Sequence, residues 1–326
     1  MDAEDTSLAA RVAFLCRPDT YPGPPARVEA IETRLSWVFL TPTHAWKLKK
    51  PLRYDHIDFS FPGARHADCE AEVRLNAALA PGVYLGVVTL TRSGDGRLAL
   101  GGEGTPIDWL VQMRRLPGAQ CLEAQARLGR VDPDGVARAA VALARFYADA
   151  RRFQPATVDE LDKTILDTAA ELRCLPPPVA SGNDRLTRAL VHWLRDHAEL
   201  VTARARVDAH GDLRPQHVYL GEQALIIDRL TYSRSLRILD PVEELAFLDL
   251  ECARLGVAWV GPRFRAAYTE ATGDRPAPLL EAFYRARRAQ LWALLSGRHL
   301  LRGGSDRPWR TLSLTYLELG NAALSR

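Results

Sequence analysis

The sequence predicts an α+β protein made of two parts, a β-rich first third followed by a mainly helical remainder. Three observations carry this expectation. Residues 27–115 contain short β-type runs punctuated by turn residues, with a single stretch of helical periodicity. Residues 121–206 and 241–324 carry apolar side chains at helical spacing. The chain has 326 residues, which at roughly 100–200 residues per domain gives two domains or one large two-lobed unit.

The elements follow in order. Residues 1–26 read as a short helix and a Pro-rich approach, Tyr21 to Ala26. Val28–Thr33, Ser36–Leu40 and Ala45–Lys49 are three short strands, and the break at 42–44 makes the last two a hairpin. Ala71, Leu75, Ala78 and Leu79 share one helical face, so 62–80 is a helix. Val83–Leu90, a turn at 93–96, Arg97–Leu100 and Pro106–Met113 add further strands. After Pro117 the pattern turns helical, with a start at Asp132-Pro133 and a break at Pro176–Pro178. His217–Leu220 and Ala224–Asp228 are apolar runs separated by Gly221-Glu222-Gln223, a small hairpin in a helical region. From Pro241 onward helices are expected again, over 243–256, 262–272, 278–301 and 308–324. The boundary falls near 115, which gives 1–26, 27–115 and 116–326 as the expected divisions.

Composition excludes several classes. Hydrophobic residues are 47% and charged residues 25% of the chain, ordinary for a globular protein and wrong for a disordered or fibrous one. The 43 Lys and Arg nearly balance 40 Asp and Glu, too even to argue for nucleic acid or an anionic membrane as partner. Five cysteines stand at 16, 69, 121, 174 and 252 without a CxxC pair, which disfavours zinc or a disulfide framework and fits a reducing compartment. The start is acidic where a signal peptide would be basic, and no run reaches the ~18 apolar residues of a membrane span. The expectation is a soluble cytoplasmic protein.

The residues with chemistry centre on His210-Gly211-Asp212-Leu213-Arg214-Pro215-Gln216-His217, followed by Asp228 at the end of an apolar run. A carboxylate at a strand end is a way to hold a metal ion, and a loop carboxylate such as Asp212 can accept a proton from a hydroxyl. Loop aspartates are more often turn or cap residues, so these two alone leave both readings open. Lys47 and Lys49 lie two apart on a strand and share a face. Glu70 and Glu72 on the next helix are candidate partners, the alternative being a solvated edge strand beside a charged helix.

Taken together, these segments resemble the aminoglycoside phosphotransferase branch of the protein-kinase-like fold, and within it a subgroup of uncharacterised bacterial phosphotransferase-like proteins. The matching stretches are His210–Leu220, Ile226-Ile227-Asp228, the Leu239-Asp240-Pro241-Val242-Glu243-Glu244-Leu245-Ala246 segment, Ala45–Pro51, Cys69–Pro81 and Val83–Val88. The resemblance spans residues 27–320. It implies a bilobed fold, with a nucleotide-binding lobe at 27–115, a catalytic and acceptor-binding lobe at 116–326, and a cleft between them. It also implies roles. Asp212 is the catalytic base or orienter and His210 a brace for its loop. Asp228 is the Mg²⁺ ligand. Lys47, or else Lys49, meets the phosphates and pairs with Glu72, or else Glu70. Val111–Arg115, Val111 and Met113 included, forms the hinge whose backbone meets adenine. The implied reaction moves the γ-phosphate of ATP to a hydroxyl of a small molecule, and phosphoryl transfer of this kind needs positioning and charge neutralisation more than covalent help.

Two departures stand out. His217 occupies the place where the family has an Asn as a second Mg²⁺ ligand, and imidazole suits Mg²⁺ poorly. No Gly-rich turn lies between the first two strands, where only Thr33-Arg34-Leu35-Ser36 is found. Gly101–Gly104 reads as a loop, and no GxxxxGK[ST] is present. The alternatives are a nucleotide-binding pseudokinase, which His217 favours, and a kinase with a protein acceptor, which the short Arg229–Leu239 interval disfavours. The seven Trp and the aromatics of 247–251 and 282–295 read as helix core. Arg285, Arg287 and Arg288 read as a solvated helix face. Asp249 and Glu251 line an acceptor pocket or complement a helix N-terminus.

Overall fold

Side-chain alternation along His44–Lys49 decides how the first third of the chain packs. Ala45, Lys47 and Lys49 take one face of the strand, and Trp46 and Leu48 the other. A computed structural model describes residues 7–54, 57–301 and 306–325; the acidic start at residues 1–6 lies outside them. The chain divides into two compact units, Met1–Gln120 with Leu225–Arg234, and Cys121–Ala224 with Ser235–Arg326. The division does not follow sequence order, because Leu225–Arg234 packs with the first unit while the chain on either side of it belongs to the second.

The first unit opens with helix α1 (Leu8–Leu15), then strands β1 (Glu29–Glu32), β2 (Ser36–Leu40), β3 (His44–Lys49), β4 (Arg53–Tyr54) and β5 (Ile57–Asp58). Helix α2 (Pro62–Asn76) and strands β6 (Tyr84–Arg92), β7 (Leu98–Leu100) and β8 (Thr105–Arg114) complete it. Six strands form one sheet in the order β1-β2-β3-β8-β6-β7, and its neighbours pair antiparallel. β3 is therefore an interior strand, which removes the solvated-edge reading of its lysines. Trp46 and Leu48 join Phe39, Leu90 and Leu110 in a core that Leu15 and Tyr21 also enter. The start of the described chain is packed on the sheet: Tyr21 places its ring 5.4 Å from Trp46 and donates its hydroxyl to Leu15 O. The expected helix at 62–80 stops at Asn76, where the chain turns with Leu79 N and Ala80 N both donating to Asn76 O. Gly104 ends the 101–104 loop at φ 152°, and a Cβ there would lie 2.9 Å from Arg92 O.

The second unit is helical: α3 (Leu122–Arg127), α4 (Pro133–Asp149), α5 (Val158–Arg173), α6 (Val179–Asp196), α7 (Ala198–Thr202), α8 (Pro241–Arg254), α9 (Val260–Thr272), α10 (Pro278–Gly297) and α11 (Asp306–Leu324). Short strands intervene at β9 (Arg152–Phe153), β10 (Arg206–Asp208), β11 (Val218–Leu220), β12 (Ala224–Ile226, whose last two residues belong to the first unit) and β13 (Ile238–Leu239). Local chemistry sets the helix starts. Asp132 caps α4 by accepting from Asp134 N, with Pro133 in the first turn. Thr157 and Glu160 form a capping box on α5. Asp240 caps α8 through Val242 N. Among the described residues no helix is long and apolar enough to cross a membrane, and all five cysteines are free.

Two sequence expectations need correction. Arg285, Arg287 and Arg288 are not a solvated face. Arg288 is 8% exposed and pairs with Glu243 at 2.9 Å, Arg287 meets Glu243 at 3.3 Å, and Arg285 meets Asp249 at 2.9 Å. The cause is α8, whose acidic side chains are buried and draw the arginines of α10 inward. Nor are the tryptophans uniformly core. Trp46 and Trp193 are buried, whereas Trp259 and Trp309 are more than a third exposed.

The first unit also buries an ion cluster. Asp108 is fully buried, accepts from Arg65 Nε at 2.9 and 3.2 Å and from Trp109 N at 3.0 Å, and is bonded by Arg11 of α1. Removing one partner of a buried pair strands the other charges, at a cost of about 3–5 kcal/mol. Asp108→Ala is expected to destabilise the protein by that amount in urea unfolding; a loss below about 1 kcal/mol would place the cluster with ordinary surface pairs.

Candidate active site

In the first unit the lysine face of β3 lies against α2 and the Leu225–Arg234 segment. Lys47 Nζ is 2.8 Å from Glu72 Oε1 and 2.6 Å from Asp228 Oδ1. Lys49 Nζ is 2.6 Å from Glu72 Oε2 and 2.5 Å from Asp68 Oδ2. Glu72 is thus held by a lysine on each oxygen, and both lysines come from the same face because they are two residues apart on a strand. Glu70, the other candidate, points away and pairs with His66 at 3.5 Å. Of the cluster, only Asp228 keeps substantial exposure, 43% of its side chain, against 2% for Glu72 and 4% for Lys49.

The electrostatics follow from that geometry. Burial works against the charge on Lys47, but Asp228 and Glu72 outweigh it and its pKa rises well above the usual lysine range. Burial likewise opposes charge on Lys49, and Glu72 raises its pKa. For Glu72 burial pushes up, yet Lys47 and Lys49 together bring the carboxyl below its ordinary value. Lys47, Lys49 and Glu72 are therefore each held in the charged form, with Lys47 shared between a buried carboxylate and an exposed one.

In the second unit the loop after β10 carries His210-Gly211-Asp212. His210 is buried; its Nδ1 accepts from Asp212 N at 3.3 Å, and its ring stacks on His217 at 5.9 Å. Glu244 of α8 accepts from His210 N at 3.0 Å, from Gly211 N at 2.5 Å and from the Tyr147 hydroxyl at 2.6 Å. Burial raises the Glu244 pKa, with Tyr147 and the two amides opposing. The Asp212 carboxylate accepts from Arg214 at 2.6 Å, and Arg214 lies 4.7 Å above the Trp292 ring.

His217 sits 2.8 Å through Nδ1 from Asp212 O. A carbonyl only accepts, so Nδ1 carries the proton and a metal would meet this ring only through Nε2. Val111 and Met113 come from the strand expected over 106–113. Both lie inside β8, Val111 opposite Lys47 and Val87, and Met113 opposite Ala45 and Tyr84. Their backbone groups are taken by ladders on both edges, and Arg115 N is taken by Thr43 O. The strand runs on to Arg114, so the segment expected to meet adenine begins inside β8.

Glu244, Tyr147 and Tyr84 are site residues that sequence reasoning missed. Tyr84 Oη accepts from Asp228 N at 2.9 Å. The two glutamates after Asp240-Pro241 were visible, but only the helix phase shows which one meets the loop. Tyr84 is one aromatic in an apolar strand and carries no sequence signal of its own. Among the described residues no group of three or more metal-ligating side chains occurs.

The two units define a known class. The chain has the protein-kinase-like fold of the choline/ethanolamine kinase and aminoglycoside phosphotransferase proteins. A choline/ethanolamine kinase family protein of Mesorhizobium loti superposes with a TM-score of 0.59 at 19% identity, over 98% of this chain and 99% of that one. The GDP and kanamycin complex of APH(2")-IIia superposes with a TM-score of 0.59 at 17% identity, over 97% and 99%. In sequence, an uncharacterised protein of Mycobacterium tuberculosis is 31% identical over 274 residues, 80% of this chain and 53% of that protein. The chain thus spans about half the length of the curated relatives it matches. No family model matches the chain.

Glu72→Gln removes the charge that both lysines share, and about 3–5 kcal/mol of stability is expected to go with it at neutral pH. The sign with pH follows from its lowered pKa. A depressed carboxyl contributes stability above its unfolded value of about 4.3 and loses that contribution as pH falls through the lower folded value. The gap between wild type and Glu72→Gln in urea midpoints is expected to be wide at neutral pH and to narrow in acid. A gap that stays constant would show that the charge on Glu72 is not what stabilises.

Proposed function

We propose that this chain is an ATP-dependent phosphotransferase that moves the γ-phosphate to a hydroxyl of a small molecule. One observation carries the reading: an interior-strand lysine, Lys47, ion-paired at once to a buried glutamate, Glu72, and to an exposed aspartate, Asp228. A fold of this type and a positive side chain held beside an exposed carboxylate are what triphosphate binding requires.

The residues divide the work. Glu72 keeps Lys47 charged and extended, so that its ammonium can meet phosphate oxygens. Asp228 offers an exposed oxygen donor, which fits Mg²⁺. That ion takes oxygen ligands and is usually held by one or two carboxylates, with phosphates and water supplying the rest; a preformed cluster of several carboxylates is not needed. When bound, Mg²⁺ would neutralise phosphate charge. Adenine contacts fall to the chain beyond Arg114, where the β8 ladder ends. Asp212, on a loop clamped by Glu244, would accept a hydrogen bond and then the proton from the acceptor hydroxyl, and Arg214 orients its carboxylate. His210 and His217 brace that loop.

A second reading, a nucleotide-binding pseudokinase, is favoured by His217. The residue replaces an oxygen donor and spends one ring nitrogen on the Asp212 carbonyl. Turnover separates the two readings.

Lys47→Ala and Asp228→Ala are each expected to weaken Mg²⁺-ATP binding by about 10- to 100-fold, the loss of a hydrogen bond to a charged group. Unchanged affinity in both, with folding intact by thermal melting, would dismiss the site. Asp212→Asn is expected to bind ATP like wild type while losing about 10²–10⁴ in turnover, measured as ATP consumption against a panel of hydroxylated small molecules. An Asp212→Asn enzyme as active as wild type rejects the mechanism. A wild type that binds ATP and consumes none shifts the assignment to the pseudokinase.

A further inference from the structure

Among the described residues Asp228 is the only one besides glycines with a positive φ, 63°. Side chains of L residues seldom adopt that region, and they stay there only when the surroundings hold them. Three hydrogen bonds from this short stretch of backbone do so. Ile226 N donates to Leu79 O at 2.9 Å, Asp228 N donates to Tyr84 Oη at 2.9 Å, and Arg229 N donates to Asn76 Oδ1 at 2.9 Å. Two of the acceptors belong to the end of α2 and the turn after it. The third is a side-chain hydroxyl at the start of β6, and it alone grips Asp228 itself.

The geometry points to Tyr84 as a positioning residue for the Asp228 carboxylate, an inference that rests on the phosphotransferase reading above. Tyr84 holds the Asp228 amide and Lys47 holds its Oδ1 at 2.6 Å. Lys47 cannot set the backbone conformation, since its hold is on the side chain and is shared with Glu72. A bound nucleotide phosphate would also draw Lys47 away. The amide grip of Tyr84 does not compete with phosphate or metal, so it persists when Lys47 turns to other partners. Mg²⁺ tolerates little deviation from octahedral geometry. A carboxylate whose backbone is free to leave the left-handed region would therefore bind the ion less well, while Lys47 would still meet the phosphates.

Tyr84→Phe removes one oxygen and keeps the ring that continues β6. The test titrates ADP into wild type and variant by calorimetry, once in EDTA and once across a Mg²⁺ series. The expected result is ADP affinity in EDTA within about twofold of wild type, and a Mg²⁺ concentration for half-maximal tightening raised about three- to tenfold, the worth of one hydrogen bond. A general structural defect would instead weaken both conditions alike, and that outcome, or no change in either, overturns the positioning role. A wild type without Mg²⁺-dependent ADP binding removes the phosphotransferase reading and this inference together, and the wild-type control identifies that case by itself. Should Tyr84→Phe fail to fold, amide hydrogen exchange of the nucleotide-free wild type decides. Protection at the Asp228 amide supports the grip, and exchange at the rate of an open chain overturns it.

Discussion

A carboxylate taken out of water has to be met by cations or N–H groups, and this constraint organises both units. In the first unit Glu72, almost wholly buried, fixes two lysines of β3 and through one of them, Lys47, the exposed Asp228. In the second unit α8 buries four carboxylates along one helix. Glu243 takes Arg287 and Arg288, Glu244 takes the amides of His210 and Gly211, Asp249 takes Arg265 and Arg285, and Glu251 takes Arg254 and the Tyr316 hydroxyl. Each acid thus recruits a partner from another element. The helix acts as a spine because leaving any one of them unpaired would cost several kcal/mol.

The same constraint explains where small residues are required. α9 approaches α8 so closely that a Cβ at Gly261 would fall 2.0 Å from Asp249 Oδ1. The approach is what lets Arg265 of α9 reach Asp249 at 3.2 Å. At the other end of α8, Asp240 serves as helix cap and as ion-pair partner at once. It receives Val242 N, Arg204 and the Tyr284 hydroxyl, and burial still holds its pKa up against them.

Function would rest on an asymmetry within each set of acids. Glu72 and Glu244 are spent on structure, fully enclosed and fully bonded. Asp228 and Asp212 are left partly toward solvent, Asp228 against Lys47 and Asp212 against Arg214. A buried carboxylate that holds an exposed one in place by way of a shared lysine gives a preorganised site without a rigid backbone motif. The short turn between β1 and β2 is closed on itself by Thr33 and Ser36.

The sequence by itself determined the element order, the α+β class, and the candidates Lys47, Lys49, Glu72, His210, Asp212, His217 and Asp228. It could do so because period-2 and period-3.6 patterns, prolines, caps and the His-Gly-Asp loop are local signals. The two-residue strands β4, β5, β9 and β13 escaped it, since two residues carry no period. Three things were decided only by the tertiary structure. Glu72 rather than Glu70 meets the lysines, because α2 turns one toward β3 and the other to solvent. Val111 and Met113 sit in the middle of the sheet, because β8 is paired on both edges. Arg287 and Arg288 are interior, because α8 presents Glu243 to them. In each case the deciding quantity is which face of an element meets a neighbour far away in sequence, and no local pattern of charge or hydrophobicity encodes that.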